Sequence, residues 1–283
     1  DTYLLQNPHR TTVFVRPDAA QSEREEAEEA TRLAEVRRTL SDADMERIAA
    51  EAAQLKKHQE APDDPADLAK IPSLSLGDLD RKIRKIPVDR TEVAGARTLY
   101  HNLFTNGIVY LDVGFDLRTL PSDLLPYLPL FGRCLMEIGT ETEDFVRLSQ
   151  RIGARTGGLW TGSLVTNQRL EPAPVAHFFV RGKAMLGQVG DLLDIARDVL
   201  LTTRFDNPQR FLQMALEEKA GEESGLIPGG HSVVNLRLKS QFDEAAWANE
   251  QMEGISYLFF LRQLADQVAS DWPGVLAKLE ALR

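Results

Sequence analysis

Apolar residues recur along this chain with two different periods, and the change from one to the other divides it. Residues 19–60 are built largely of Glu, Ala, Arg and Leu, with no Gly or Pro before Pro62. Leu33, Val36 and Leu40 recur at helical spacing, and a second stripe runs through Met45, Ile48, Ala49, Ala52 and Leu55. Between them Ser41-Asp42-Ala43-Asp44 has the form of a capping box. The pattern predicts two helices folded back as an antiparallel hairpin. Pro62-Asp63-Asp64-Pro65 ends it, because neither proline can continue a helix. An extended linker is expected through Pro72, then a short helical turn from Ser75 to Asp80 that Pro87 stops. Ahead of the helices, residues 1–17 read as an extended segment, strand-like over Thr11 to Val15 and ending at Pro17.

From Arg97 onward the alternation becomes that of a mixed domain. Arg97 to Phe104 reads as a strand. Asn106-Gly107 is a hairpin signal, since both residue types tolerate positive φ. Ile108 to Leu117 reads as the partner strand, with Val109, Leu111, Val113 and Phe115 on one face. Leu124 to Ile138 predicts a helix with Pro126 and Pro129 in or near its first turn and Gly139 as C-cap. Thr140-x-x-Glu143 is expected to open another helix reaching about Ile152, and Thr156-Gly157-Gly158 to turn the chain. Leu159 to Val165 and Val175 to Val180 read as strands separated by a Pro172/Pro174 turn. Helices are predicted over 188–202, 208–222, 231–240 and 254–282, with Asn207-Pro208 as a cap followed by proline at the first helical position.

Composition narrows the chemistry. The chain has 283 residues, 43% of them apolar and 27% charged, which is enough to build a core. A formal net charge of −10 argues against nucleic acid and anionic membrane as partners, since both require a basic surface. No apolar run approaches the roughly 18 residues of a membrane span. The single cysteine, Cys134, fits a reducing compartment, and its apolar neighbours Leu130, Phe131 and Leu135 mark it as inert core. The five histidines, His9, His58, His101, His177 and His231, are too dispersed for the paired spacing of a zinc site, and none begins H-x-x-E-H. Each reads as a surface or packing residue, with His231 capping the helix it begins. Gly153 to Gly158 is glycine-rich but follows a helix and precedes a strand, the reverse of a phosphate cradle. The acidic run Glu23, Glu25, Glu26, Glu28 and Glu29 reads as a solvated helix face. Trp247 and Tyr257 to Leu261 read as core, with a peptide-binding wall as the functional alternative. No catalytic, cofactor-binding or metal-ligating residue is assigned.

Seven short motifs stand in an order that resembles the presequence protease and falcilysin family of pitrilysin-type zinc metalloproteases. They are Asn7-Pro8-His9-Arg10, the acidic helices, Ile71 to Leu76, Leu124 to Phe131, Ile138-Gly139-Thr140, Thr156-Gly157-Gly158 and the run from Glu250 to Leu261. The resemblance implies two homologous halves joined by a helical hairpin around a closed chamber, with zinc ligands upstream of Asp1 and further catalytic residues downstream of Arg283. By it, residues 1–17 end a preceding domain, 18–61 are the hairpin, 62–89 an extended linker, and 90–283 a third α/β domain lacking its last strand. A chain that begins at Asp1 without Met and ends at Arg283 inside a helical pattern is itself expected to be a segment; a trimmed stand-alone protein is the alternative.

The expected fold class is therefore α+β: a long helical hairpin followed by a two-layer α/β domain with a mainly antiparallel sheet packed by helices. The expected function is that of a non-catalytic hinge and chamber wall in a zinc metalloendopeptidase that degrades unstructured peptides such as targeting presequences. The parent would use zinc and this segment would bind none. Its partners would be peptide substrate, the upstream zinc-binding half and the downstream domain. The expected location is the cytoplasm of a bacterium or an organelle lumen, mitochondrial or plastid, and not outside the cell. The acidic composition suggests a wall suited to basic peptides. Two other readings stand beside this one: a stand-alone interaction module whose acidic helices dock a partner helix, and a structural relative that has lost its zinc site.

Overall fold

The computed structural model describes residues 6–11, 13–16, 18–171 and 173–283. It divides into two units, Asp1–Lys85 and Ile86–Arg283. The fold is α+β, as the sequence predicts. No described helix is long and apolar enough to cross a membrane.

The first unit holds α1 (Gln21–Thr39) and α2 (Asp42–Glu60), with Leu40 and Ser41 between them in extended conformation. The capping box forms: Asp44 N donates to Ser41 Oγ at 3.2 Å, and Ser41 N donates to Asp44 Oδ2 at 3.1 Å. Neither helix buries a residue, and Leu33, Val36, Ile48 and Leu55 all stay exposed. The linker is less extended than predicted. Asp64 accepts from Ala66 N and starts a one-turn helix, α3 (Pro65–Leu68), with proline in its first turn. The expected turn near Ser75 is a 3₁₀ helix, Leu76–Asp78. Residues 1–5, Thr12 and Pro17 of the predicted N-terminal segment lie outside the described residues. Residues 13–16 form no strand, because no strand of the unit pairs with them among the described residues; Phe14 and Val15 are exposed.

In the second unit the first hairpin is displaced from its predicted place. β1 (Asp89–Val93) pairs antiparallel with β2 (Ala96–Tyr100) across Ala94 and Gly95, which both have positive φ. The Asn106-Gly107 turn does form, with φ of 53° and 78° and Ile108 N donating to Thr105 O. It joins no hairpin: Gly107 O instead accepts from Leu186 N. β3 (Ile108–Asp116) finds its partner far along the chain, in a sheet ordered β3-β5-β4, antiparallel throughout, with β4 at Leu159–Thr166 and β5 at Val175–Met185. β3 and β4 are both edges. Pro172, of the predicted turn between β4 and β5, lies outside the described residues.

One face of this sheet carries the helices. Ala176, Phe178, Val180 and Ala184 of β5 are buried there. Ala176, Phe178 and Val180 belong to one core with α4 (Leu128–Glu137), which follows a 3₁₀ turn containing Pro126 and ends ahead of Gly139, φ +103°. α5 (Phe145–Arg155) starts later than predicted. Asp144 is its N-cap, accepting from Arg147 N at 2.9 Å, while Thr140 Oγ1 accepts from Glu143 N to close a preceding turn. α6 (Val189–Leu201), α7 (Pro208–Leu226) and α8 (Gly230–Lys239) lie where predicted. After them comes α9 (Glu244–Glu253), which the apolar pattern does not predict. The predicted helix 254–282 is two, α10 (Ile255–Ser270) and α11 (Trp272–Leu282). They are separated at Asp271, which caps α11 ahead of Pro273.

Cys134 is 0% exposed, and burial pushes its thiol well above the ordinary range. An aromatic disulfide reagent is expected to leave the native thiol unmodified and to titrate it fully in denaturant. Rapid labelling of the native chain would refute the buried placement.

Candidate functional site

The other face of the three-stranded sheet is uncovered. Side chains alternate across a strand, so the register fixes which residues share this face. Three rows cross it: Asp112–Arg181–Trp160, Gly114–Phe179–Gly162 and Asp116–His177–Leu164, with Tyr110 beside Lys183 extending it at one end. Tyr110 is 60% exposed, Trp160 42% and Leu164 43%, whereas the opposite-facing residues of β5 are buried.

The glycines explain the shape of the middle row. A Cβ at Gly114 would stand 2.7 Å from Phe179 Cε1, so the ring lies over a position where no side chain fits. Gly162 on the other flank meets nothing. His177 stacks on Phe179 at 5.8 Å, and the Arg181 guanidinium lies 4.7 Å from the centre of the same ring. The central strand thus presents imidazole, phenyl, guanidinium and ammonium in succession. The acids beside them are only partly available. Asp116 is engaged by Arg118, whose hydrogen bonds hold its carboxyl well below the usual range. Asp112 reaches Arg181 Nε only at 3.9 Å. This face thus combines aromatic rings with two cations, Arg181 and Lys183, and two acids already partly engaged.

The histidines and other residues singled out by the sequence are scattered. His9 lies in the first unit, and His58 is in the last turn of α2. His101 Nδ1 lies 2.8 Å from Pro87 O, and His177 belongs to the open face. His231 does not cap α8: Gly229 is the N-cap, and no side chain bonds there. Among the described residues no three His, Cys, Asp or Glu side chains come together as a metal-ligand set. Gly153 to Gly158 carries the chain from α5 into a turn, with Gly157 N donating to Lys183 O at 2.7 Å. Tyr257, Leu258 and Leu261 are core, while Phe259 and Trp247 are 51% and 39% exposed.

A concavity of about 510 Å³ away from the sheet face is lined by Thr140, Glu143, Asp144, Arg204 and Asp206 among others. Its acids are largely committed. Glu143 pairs with Arg151 at 2.9 Å, Asp206 pairs with Arg204, and Asp144 caps α5. Elsewhere, Glu222 on α7 is pushed above the usual carboxylate range by burial, reinforced by Glu218 and Glu253. A carboxyl with a raised folded-state pKa favours folding below its unfolded value of 4.5, and that contribution is lost as pH rises through the folded pKa. Glu222→Gln is expected to raise the melting temperature modestly at pH 7 and to have no such effect near pH 4. Equal shifts at both pH values would contradict the burial argument.

Comparison with known sequences adds an independent observation. The profile of a family described as "Peptidase M-16C associated" matches residues 15–264. The chain is 37% identical over 280 residues to presequence protease 1, chloroplastic/mitochondrial, of Arabidopsis thaliana, covering 99% of this chain and 26% of that protein. It is 28% identical to protein HypA of Clostridium perfringens (strain 13 / Type A), over 92% of this chain and 27% of that one. It is 26% identical to the mitochondrial presequence protease of Schizosaccharomyces pombe (strain 972 / ATCC 24843), over 99% and 28%. The chain thus spans about a quarter of the length of the curated relatives it matches.

Proposed function

This chain belongs to the peptidase M-16C associated family, and from that premise we propose that it is the non-catalytic central segment of a zinc metalloendopeptidase that degrades unstructured peptides, targeting presequences among them. The observation that carries the reading is the match over 99% of this chain to a quarter of a presequence protease. In this reading residues 18–61 are a helical hairpin acting as hinge, residues 62–89 a linker, and residues 90–283 a chamber wall that lacks its last strand. Residues 1–17 close the preceding domain. The uncovered sheet face is the surface turned to substrate. Long helices joined by short connections concentrate motion at their ends, which suits a hinge. Zinc belongs to the parent enzyme, and no residue of this chain supplies a catalytic step. The relatives' printed names, chloroplastic or mitochondrial for some and bacterial by organism for another, agree with an organelle lumen or a bacterial cytoplasm.

The test compares two samples on one fluorogenic unstructured peptide. The 283-residue chain alone is expected to leave it intact with or without added zinc. The full-length parent is expected to cleave it and to lose that activity to a chelator. Chelator-sensitive cleavage by the chain alone would overturn the non-catalytic assignment. A full-length parent without an H-x-x-E-H motif and without activity would favour the structural relative instead.

A further inference from the structure

Resting on the reading of the sheet face as a chamber wall, we infer that this face holds substrate through acidic side chains. An extended peptide segment lies along β5 with its carboxylates on Arg181 and Lys183 and a neighbouring apolar side chain against Trp160 and Tyr110. The chain as a whole is acidic, but residues 18–61 carry 12 acidic and 7 basic side chains, so much of that excess lies off the sheet.

On the face itself the positive groups are under-compensated. Arg181 Nε is buried with no hydrogen-bond partner among the described residues, and its nearest carboxylate is at 3.9 Å. Lys183 forms no ion pair among the described residues. Its stem lies over Gly157, where a Cβ would come within 2.9 Å of Lys183 Cγ. Asp116 is withdrawn by Arg118.

Spacing selects the shape of the ligand. Residues two apart on a strand point to one face, about 6.5–7 Å apart. Arg181 and Lys183 therefore match carboxylates at alternate positions of a second extended chain. Arg181 already rests on Phe179, and a guanidinium placed over a ring keeps its edge free for carboxylate. Trp160 stands directly opposite Arg181 on β4, and Tyr110 opposite Lys183 on β3. An aromatic or aliphatic side chain adjacent to an acid is thus met by an aromatic neighbour at either cation. A basic segment, such as an acid-poor targeting presequence, would set like charge against Arg181 and Lys183, with Asp112 alone to receive it. This face therefore discriminates among the parent's unstructured substrates in favour of acid-bearing segments and leaves presequences to other parts of the chamber.

The experiment uses the full chain and two fluorescently labelled, unstructured peptides followed by anisotropy. One carries Glu at alternate positions around a central Phe; the other has Lys in place of each Glu. The Glu peptide is expected to bind more tightly, to weaken with added salt and to lose affinity in Trp160→Ala. Replacing both cations, Arg181→Gln with Lys183→Gln, is expected to lower its affinity about fivefold and to raise that of the Lys peptide, whose repulsion is relieved. Lys183→Gln alone serves the same purpose if the double variant fails to fold by circular dichroism. Equal binding of both peptides, each dependent on Trp160, would overturn the acidic preference and leave the wall reading standing. Binding of neither peptide, or binding indifferent to Trp160, would remove the wall reading and this inference together.

Discussion

Glu250→Ala is expected to cost the Ile86–Arg283 unit about 2–4 kcal/mol, because it removes a buried carboxylate with several donors directed at it. Glu250 is 0% exposed. Its Oε1 accepts from Ser256 N at 3.1 Å and pairs with Arg237 at 3.2 Å, while Oε2 accepts from Gln251 Nε2 at 3.0 Å. The bond to Ser256 satisfies a backbone donor in the first turn of α10, six residues downstream, across the break at Gly254. That break is tight: a Cβ on Gly254 would stand 2.8 Å from both Glu250 Cγ and Glu250 O. One side chain thus fixes the angle between α9 and α10 and ties α8 to both. Arg237 is 54% exposed and recovers water when its partner is lost, so the penalty falls on the orphaned cap and the space left behind. Glu250→Gln keeps an acceptor of the same shape and should lose about half as much. Urea denaturation followed by circular dichroism measures both. An alanine variant within about 0.5 kcal/mol of the native chain, the size of an ordinary surface change, would show that the carboxylate is not structural.

Gly132 carries the second large effect. It lies on the α4 face that meets the sheet, and a Cβ there would overlap Thr161 Oγ1 and approach Phe178 Cε2 at 3.3 Å. Alanine is intrinsically the better helix residue by about 1 kcal/mol, so helix propensity alone predicts a gain. Packing predicts the reverse, a loss of about 1–3 kcal/mol from overfilling a close contact, and Gly132→Leu should reach or exceed the upper end. The cause can be isolated by a double-mutant cycle. Thr161→Ala removes the overlapping oxygen, so the paired variant should recover part of the loss that Gly132→Ala produces alone. A stabilised Gly132→Ala, or single-variant losses that simply add, would mean that α4 does not approach β4 this closely.

How far the sequence is legible depends on the kind of signal. Periodic apolar stretches translate directly into α2, β3, β5, α6 and α7. Punctuation is harder to read. Asn106-Gly107 takes the turn its residues favour, yet the strand that pairs with β3 lies about 70 positions later, because local turn chemistry cannot choose a long-range partner. The actual hairpin turns on Ala94-Gly95, and Ala94 carries no residue-level sign of a φ of 51°. At α5, Thr140 and Asp144 compete for the cap, and Asp144 wins because Thr140 is engaged by the preceding turn and the bridge to Thr203. α9 escapes the apolar pattern since small residues, Ala245, Ala246 and Ala248, form much of its buried surface. The open face is the least visible feature. His177 reads as a lone histidine, and nothing local groups Tyr110, Trp160 and Arg181, since only the register across three strands brings them together. Alternation of apolar residues with His, Phe, Arg and Lys through β5 is the one signal that discloses it.

The place of β5 between β3 and β4 has a consequence for the thermodynamics of any ligand on that face. His177, Phe179, Arg181 and Lys183 all project from the single strand whose main chain is paired on both sides, while the two edge strands keep one row of amides each for solvent. Amide exchange should therefore be slowest in β5 and should alternate between fast and slow along β3 and β4. A ligand meeting side chains mounted on the slowest-exchanging strand finds them already in position. Little ordering entropy of the protein is then spent on association, and the protection pattern of the sheet should be nearly the same with ligand bound and without it.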